Sequence, residues 1–231
     1  MATRPVFLAK FRGAPALVVR PIDFAWHAGL SASQKKRSVR SLHEAACREL
    51  ETCNMLEIST KSEDPIGVAL SAFNLSFTTK KNRLTLTVES AFQGSKVFEN
   101  GGPYTDLYTI DSKSAKIDKR TRSSGTLIAF RFFGSEWPTR PITAFYDWLY
   151  LNALKKNPDL SEKLFEYDGF TDIEFNPDKS LNCQAYSAAL YVYLSSKNQL
   201  EHAMSAPDAF LETVSNIPGY GIVTHRALDL L

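Results

Sequence analysis

No stretch of this chain limits its folding options as sharply as VESAFQGSKVFENGGPY, which runs from Val88 to Tyr104. Val88, Ala91, Phe92 and Phe98 form an apolar stripe at helical spacing. Thr87 is placed to cap the start, and Gly101-Gly102-Pro103 cannot continue a helix. The segment therefore predicts a helix that opens after Thr87 and stops at Gly101. On that helix Glu89, Gln93 and Lys96 stand at i, i+4 and i+7, so a carboxylate, an amide and an amine share one face. The trio lies beside the apolar stripe rather than on a fully solvated face, and that combination can do chemistry. The plain alternative is that Glu and Lys, both good helix formers, simply face water and that the glycines are a C-cap.

With 231 residues and 44% hydrophobic content, the chain is long enough to bury a sizeable core, and no linker-like stretch divides it, so a single domain over residues 1–231 is expected. No apolar run approaches membrane-spanning length, and charges interrupt MATRPVFLAKF too early for a secretory segment. The three cysteines, Cys47, Cys53 and Cys183, have no paired spacing and suggest neither a disulfide framework nor a zinc site. A reducing, cytoplasmic location is expected. The four histidines, His27, His43, His202 and His225, show no ligand or triad spacing, and no dinucleotide fingerprint or P-loop occurs. No metal and no cofactor are therefore expected.

The remaining patterns predict an α+β fold, mostly helical with a small sheet. LEIST, FNLSF, RLTLTV, LIAFRFF and FTDIEF read as strands, whereas PITAFYDWLYLNALKK and SLNCQAYSAALYVYLSS read as helices. An earlier helix is expected after Ser31, since Ser31 and Gln34 fit a capping box and Val39, Leu42, Ala46 and Leu50 recur at helical spacing.

The net charge of +2 does not mark a general nucleic-acid binder, but the basic residues are clustered. Lys35, Lys36, Arg37 and Arg40 are read as a solvated helix face. Lys113, Lys116, Lys119, Arg120 and Arg122 lie in DSKSAKIDKRTRSSG, which reads as a long polar loop suited to clamping a polyanion. Asp147, set among apolar residues of the helix begun by Pro141, is expected to make structural hydrogen bonds. Ser180 is placed to cap the last helix, with Asn182 and Gln184 in its first turn, where backbone N–H groups favour a pyrophosphate. An ordinary helix start is the alternative. Asp172, on the strand before it, is a candidate for binding a ribose hydroxyl or a base. Trp137, with Phe132 and Phe133, offers a stacking surface or, more commonly for aromatics, core packing.

The spacing of Glu89, Phe92, Gln93, Lys96 and Phe98 resembles the signature helix of the NADAR superfamily, the YbiA-like proteins. Leu70, Ser71, Phe73 and Asn74 in LSAFNL are similar to the Leu-Ser-Asn-Phe-Tyr stretch that precedes it there. LEISTKS, LSAFNL, VESAFQGSKVFENGGPYTDLY, PITAFYDWLYLNAL and NPDKSLNCQAYSAALY together resemble the NADAR proteins encoded beside DarT-type ADP-ribosyltransferase toxins, and this likeness covers most of the chain. Ser90-Ala91 replaces the superfamily's usual His-Tyr, and the Trp-Gly pair common later in YbiA-like sequences is not evident. On this resemblance residues 1–50 are a family-specific N-terminal extension packed on the core.

The resemblance implies ADP-ribose ligands and cleavage of an N-glycosidic bond, with Glu89 as general acid or base. Lys96 either binds a phosphate or pairs with Glu89 as an ammonium, or it attacks the anomeric carbon as a neutral amine and forms a Schiff base. Ser71, Asn74, Gln93, Gly101, Gly102, Trp137, Asp172, Asn182 and Gln184 are the expected substrate-binding residues. The implied substrate is DNA carrying ADP-ribose on a nucleobase, guanine first, and the implied role is antitoxin to a DarT-type toxin, itself a candidate partner. The alternatives are a glycosidase of ribosylated intermediates of riboflavin synthesis, or a non-catalytic module that binds ADP-ribose or blocks the toxin.

Overall fold

The computed structural model describes residues 1–11, 13–29, 31–50 and 54–220; Cys53 and His225 lie outside them. The chain begins with β1 (Ala2–Phe11), β2 (Ala14–Phe24), α1 (Ala32–Leu50), β3 (Met55–Glu57), α2 (Pro65–Ala69), β4 (Ser76–Thr78) and β5 (Thr85–Thr87). Next come α3 (Val88–Gly94), β6 (Lys96–Phe98), a 3-10 turn (Thr105–Thr109), α4 (Ser112–Ile117), α5 (Arg120–Ser123), β7 (Leu127–Phe132) and β8 (Ser135–Trp137). The remainder is α6 (Ala144–Lys155), α7 (Pro158–Lys163), a 3-10 turn (Leu164–Glu166), β9 (Gly169–Thr171), α8 (Gln184–Ser196), α9 (Leu200–Ala203) and α10 (Pro207–Ser215). The fold is α+β and mostly helical, and no described helix is long and apolar enough to cross a membrane. Two compact units are present: Met1–Ser71 with Pro158–Leu200, and Ala72–Asn157 with the described residues from Glu201 on.

The first unit holds a sheet in the order β2-β1-β9-β3, antiparallel except where β3 runs parallel to β9. Four consecutive apolar residues, Val6-Phe7-Leu8-Ala9, are all buried. Side chains alternate across a strand, so such a run needs cover on both faces. Val6 and Leu8, with Ile22 and Phe24 of β2, pack against Val39, Leu42, Ala45 and Ala46 of α1. Phe7 points the other way and meets Tyr186 of α8 edge-on, 5.7 Å between ring centres. The expected capping box at α1 forms: the Gln34 amide N–H donates to Ser31 Oγ and the Ser31 amide N–H to Gln34 Oε1, each at 3.2 Å.

The second unit contains the antiparallel sheet β6-β7-β8 and the β4-β5 pair. Its core is aromatic. Phe130 stacks on Phe145 at 4.7 Å, Phe92 lies 5.4 Å from Phe130, and Trp137 lies 4.8 Å from Trp148. Each such pair adds about 0.5–1.5 kcal/mol beyond area burial. Asp147 is 1% exposed and accepts a hydrogen bond from the Tyr220 hydroxyl at 2.6 Å.

Several boundaries differ from the expectation. The helix after Thr87 ends at Gly94 with Ser95 as its C-cap, and Lys96 sits on β6, in register with Phe130 of β7. Two residues with good strand propensity, Val97 and Phe98, gain ladder hydrogen bonds and cover that a longer helix would forfeit. The stretch expected as a polar loop is instead α4 and α5. Asp111 caps α4 by accepting from the Ser114 amide at 2.9 Å, Ala115 is buried, and Arg120 binds Asp118 and Asp106. The helix expected from Pro141 starts at Ala144. The last long helix starts at Gln184 with Cys183 at its cap. Ser180 does not cap it; its amide donates to the Asn176 carbonyl at 2.9 Å in a preceding turn.

Candidate active site

Glu89 occupies the first turn of α3 because the helix is capped reciprocally. Thr87 Oγ1 accepts from the Ser90 amide and Ser90 Oγ accepts from the Thr87 amide, each at 3.1 Å. Ser90 thus fills the third helical position with a cap partner. The Glu89 amide donates to the Ala72 carbonyl at 3.0 Å, and the side chain is only 6% exposed. Its Oε1 accepts from Gln93 Nε2 at 2.9 Å, one helical turn on. A carboxylate so placed gains from the helix dipole and from a held donor.

Lys96 reaches the same neighbourhood from β6 rather than from the helix. Its Nζ lies 4.7 Å from the centre of the Phe92 ring. Burial lowers the amine to about 8; the Glu89 carboxylate opposes that shift and the Lys116 ammonium adds to it. Lys116 in turn lies 5.0 Å from the Phe73 ring centre. The amine therefore has a sizeable neutral fraction near physiological pH, which an ordinary lysine lacks.

Gly101 and Gly102 hold this arrangement from below. The Phe98 amide donates to the Gly101 carbonyl at 2.7 Å, and Gly102 takes φ +87°. A side chain at Gly102 would run into the Lys96 carbonyl, so only glycine lets the turn close against the residue that carries the amine. Asn74 is exposed in the same unit. Trp137, expected as a stacking surface, is fully buried against Phe145, Trp148 and Phe210. It has no free face; of Trp137, Phe132 and Phe133 only Phe133 is exposed, 46% accessible.

The first unit holds Asp172, Gln184, Asn182 and Ser71. Here the structure reveals a polar cluster around Glu57, a residue not singled out from sequence. Glu57 is 2% exposed. Its Oε1 accepts from Ser59 Oγ at 2.6 Å and the Ile173 amide at 2.9 Å, and its Oε2 accepts from Thr171 Oγ1 at 2.6 Å. Thr171 is also 2.8 Å from His43 Nε2. Since the Thr171 proton goes to the carboxylate, His43 donates from Nε2, and burial holds its ring neutral, at about 4.

Asp172 is pushed up to about 8 by burial first and then by the Glu57 charge. Three donors favour the charge on Glu57, so the shared proton rests on Asp172. Asp172 accepts from the Glu174 amide at 3.0 Å, and Gln184 donates to the Ile58 carbonyl at 2.7 Å. Burial, reinforced by the Asp172 charge, keeps the Cys183 thiol well above its usual range. Asn182 precedes α8 rather than standing in its first turn, and its buried Oδ1 has no hydrogen-bond partner. Ser71 is buried after α2, its amide donating to the Val68 carbonyl at 3.2 Å.

Three described residues of the basic clusters are held in ion pairs. Lys35 pairs with Glu174, Arg40 with Glu63, and Arg120 with Asp106 and Asp118. Glu57 was legible only as an acid between Leu56 and Ile58 on a strand with no polar face. His43 carried no signal at all, since its partner lies 128 positions away. Among the described residues, no group of three or more His, Cys, Asp or Glu side chains is arranged to hold a metal ion. A protein-family model described as the DarT1-associated NADAR antitoxin matches residues 2–219. No curated protein matches the chain.

Proposed function

The chain belongs to the DarT1-associated NADAR antitoxin family, and from that premise we propose that it removes ADP-ribose from a nucleobase in DNA, guanine first, and so reverses the toxin's modification. The observation that carries this reading is the pairing of a buried, amide-held Glu89 with Lys96, whose amine titrates at about 8.

In this mechanism the neutral Lys96 amine attacks the anomeric carbon while the bond from that carbon to the base nitrogen breaks. The attacking nitrogen, made acidic by its new bond, gives up a proton to the Glu89 carboxylate, which hands it to the departing base. The lone pair of that nitrogen then drives out the ring oxygen, which takes a proton from water, giving a protonated imine with the opened ribose. Water adds to that imine, activated by Glu89 now acting as base, and its collapse releases ADP-ribose and the free amine.

Mass spectrometry of an oligonucleotide carrying ADP-ribosyl-guanine tests the reading. Wild type restores the unmodified strand, Glu89→Gln does not, and borohydride during turnover links ADP-ribose to Lys96. An unchanged oligonucleotide after incubation with wild type overturns it, in favour of a small-molecule glycosidase or a binding module.

A further inference from the structure

A cavity in the Ala72–Asn157 unit is lined by none of Glu89, Gln93, Lys96, Gly101 and Gly102. It measures about 430 Å³ and is lined by Phe77, Phe132, Phe133 and Trp148 together with Lys80, Lys81, Asn82, Asn152 and Lys156. That size lies within the range of small-ligand sites, roughly 300–1,000 Å³. We propose that this cleft binds a nucleotide of single-stranded DNA flanking the modified base, its base against the aromatic wall and its phosphates on the lysines.

The charge is one-sided. No carboxylate lines the cleft, and among the described residues no ion pair engages Lys80, Lys81 or Lys156. Lys156 Nζ is tethered to the Thr78 carbonyl at 2.9 Å and lies 5.3 Å from the Phe77 ring centre. Burial lowers its pKa, and the neighbouring Lys80 ammonium lowers it further, so a bound anion would relieve both cations. A polyanion is the complement of such a rim.

The wall selects among polyanions. Phe133 is 46% exposed and sits at φ +46° in the tight turn between β7 and β8. A bulky residue in that region is strained, and such strain concentrates where a ligand is held. The buried Trp148 Nε1 has no partner, and the Asn82 amide matches the donors and acceptors of a base edge, while Asn152 Nδ2 donates to the Trp148 carbonyl at 3.0 Å. The exposed Phe133 ring beside cations and amides suits a stacked base rather than a carboxylate side chain. The cleft also has a defined place relative to Lys96: Lys96 is in register with Phe130, and Phe132 lies two residues along the same strand, about 7 Å away.

This inference rests on the DNA substrate proposed above, and its test separates the two. Fluorescence anisotropy with an unmodified single-stranded oligonucleotide is compared for wild type, Lys80→Glu/Lys81→Glu and Phe133→Ala. The double variant is expected to weaken binding about tenfold or more at low salt and to lower the salt slope by about two. Phe133→Ala is expected to weaken binding several-fold, with the slope kept. For cleavage, the preference in kcat/KM for a modified oligonucleotide over the modified mononucleoside should fall at least fivefold in the double variant, through KM. Equal binding by all three proteins overturns the cleft assignment while leaving cleavage intact. Variant-sensitive binding by a protein that cleaves neither substrate upholds the cleft and overturns the glycohydrolase. If poly-glutamate of the same length binds equally well and with the same variant sensitivity, an acidic peptide replaces DNA as the occupant.

Discussion

Gln93 Nε2 donates to Glu89 Oε1 at 2.9 Å across one turn of α3, which fixes the direction in which the buried carboxylate presents its second oxygen. A hydrogen bond to a charged group is worth about 1.5–3 kcal/mol. Gln93→Leu, similar in size and unable to donate, is therefore expected to lower kcat about 10- to 100-fold with a smaller change in KM. Glu89→Gln should leave less residual activity still. Steady-state kinetics on the modified oligonucleotide decide the point, and a Gln93→Leu enzyme within twofold of wild type removes the positioning role.

Lys96 gives the activity a pH signature. Its amine titrates at about 8 rather than 10.5, and a nucleophilic amine must be neutral, so the single-turnover rate should rise as pH increases from 7 to 9 with a midpoint near 8. Lys96→Arg keeps a cation but cannot form an imine and should be inactive across that range. A flat profile from pH 7 to 9, or an arginine variant retaining a tenth of wild-type activity, would instead make Lys96 a phosphate-binding cation.

The parts legible in the sequence were those set by neighbours. Thr87 caps α3 by accepting from the Ser90 amide three residues on, and Ser31 with Gln34 caps α1 over the same span. Helix ends decided by tertiary competition were not legible: Phe98 fits the helical stripe, yet the ladder with β7 takes Lys96–Phe98 into a strand. Nor were the polar stretches of α4 and α5, whose order depends on Asp106 and the Phe73 carbonyl. The Glu57–Thr171–His43 chain was invisible for the same reason, since it joins three segments that only the first unit's sheet and α1 bring together.

Asp172 should leave its mark on stability rather than on rate alone. The folded state holds its proton up to about pH 8, against 3.8 ordinarily. Wherever the native state binds more protons than the unfolded chain, stability falls as pH rises. The contribution is therefore fully present below about pH 4 and is lost progressively up to pH 8. Asp172→Asn keeps the shape and removes the titration. Urea midpoints at pH 5, 6.5 and 8 should show a smaller drop from pH 5 to 8 in the variant than in wild type. The same drop in both would mean that Asp172 is not the group holding the proton.

Trp137 and Phe133 are near in sequence and opposite in environment, 0% and 46% exposed. Truncating the first empties the centre of the aromatic core, where Phe145, Trp148 and Phe210 surround it. Large-to-small changes of that kind cost about 3–5 kcal/mol. Trp137→Ala should therefore lower the denaturation midpoint severely. Phe133→Ala gives up little buried area and should stay within about 1 kcal/mol of wild type, while still weakening strand binding at the cleft. Thermal melts of the two variants beside their oligonucleotide affinities test this division. A Trp137→Ala protein of wild-type stability with selectively lost ligand binding would restore the stacking role that its burial denies it.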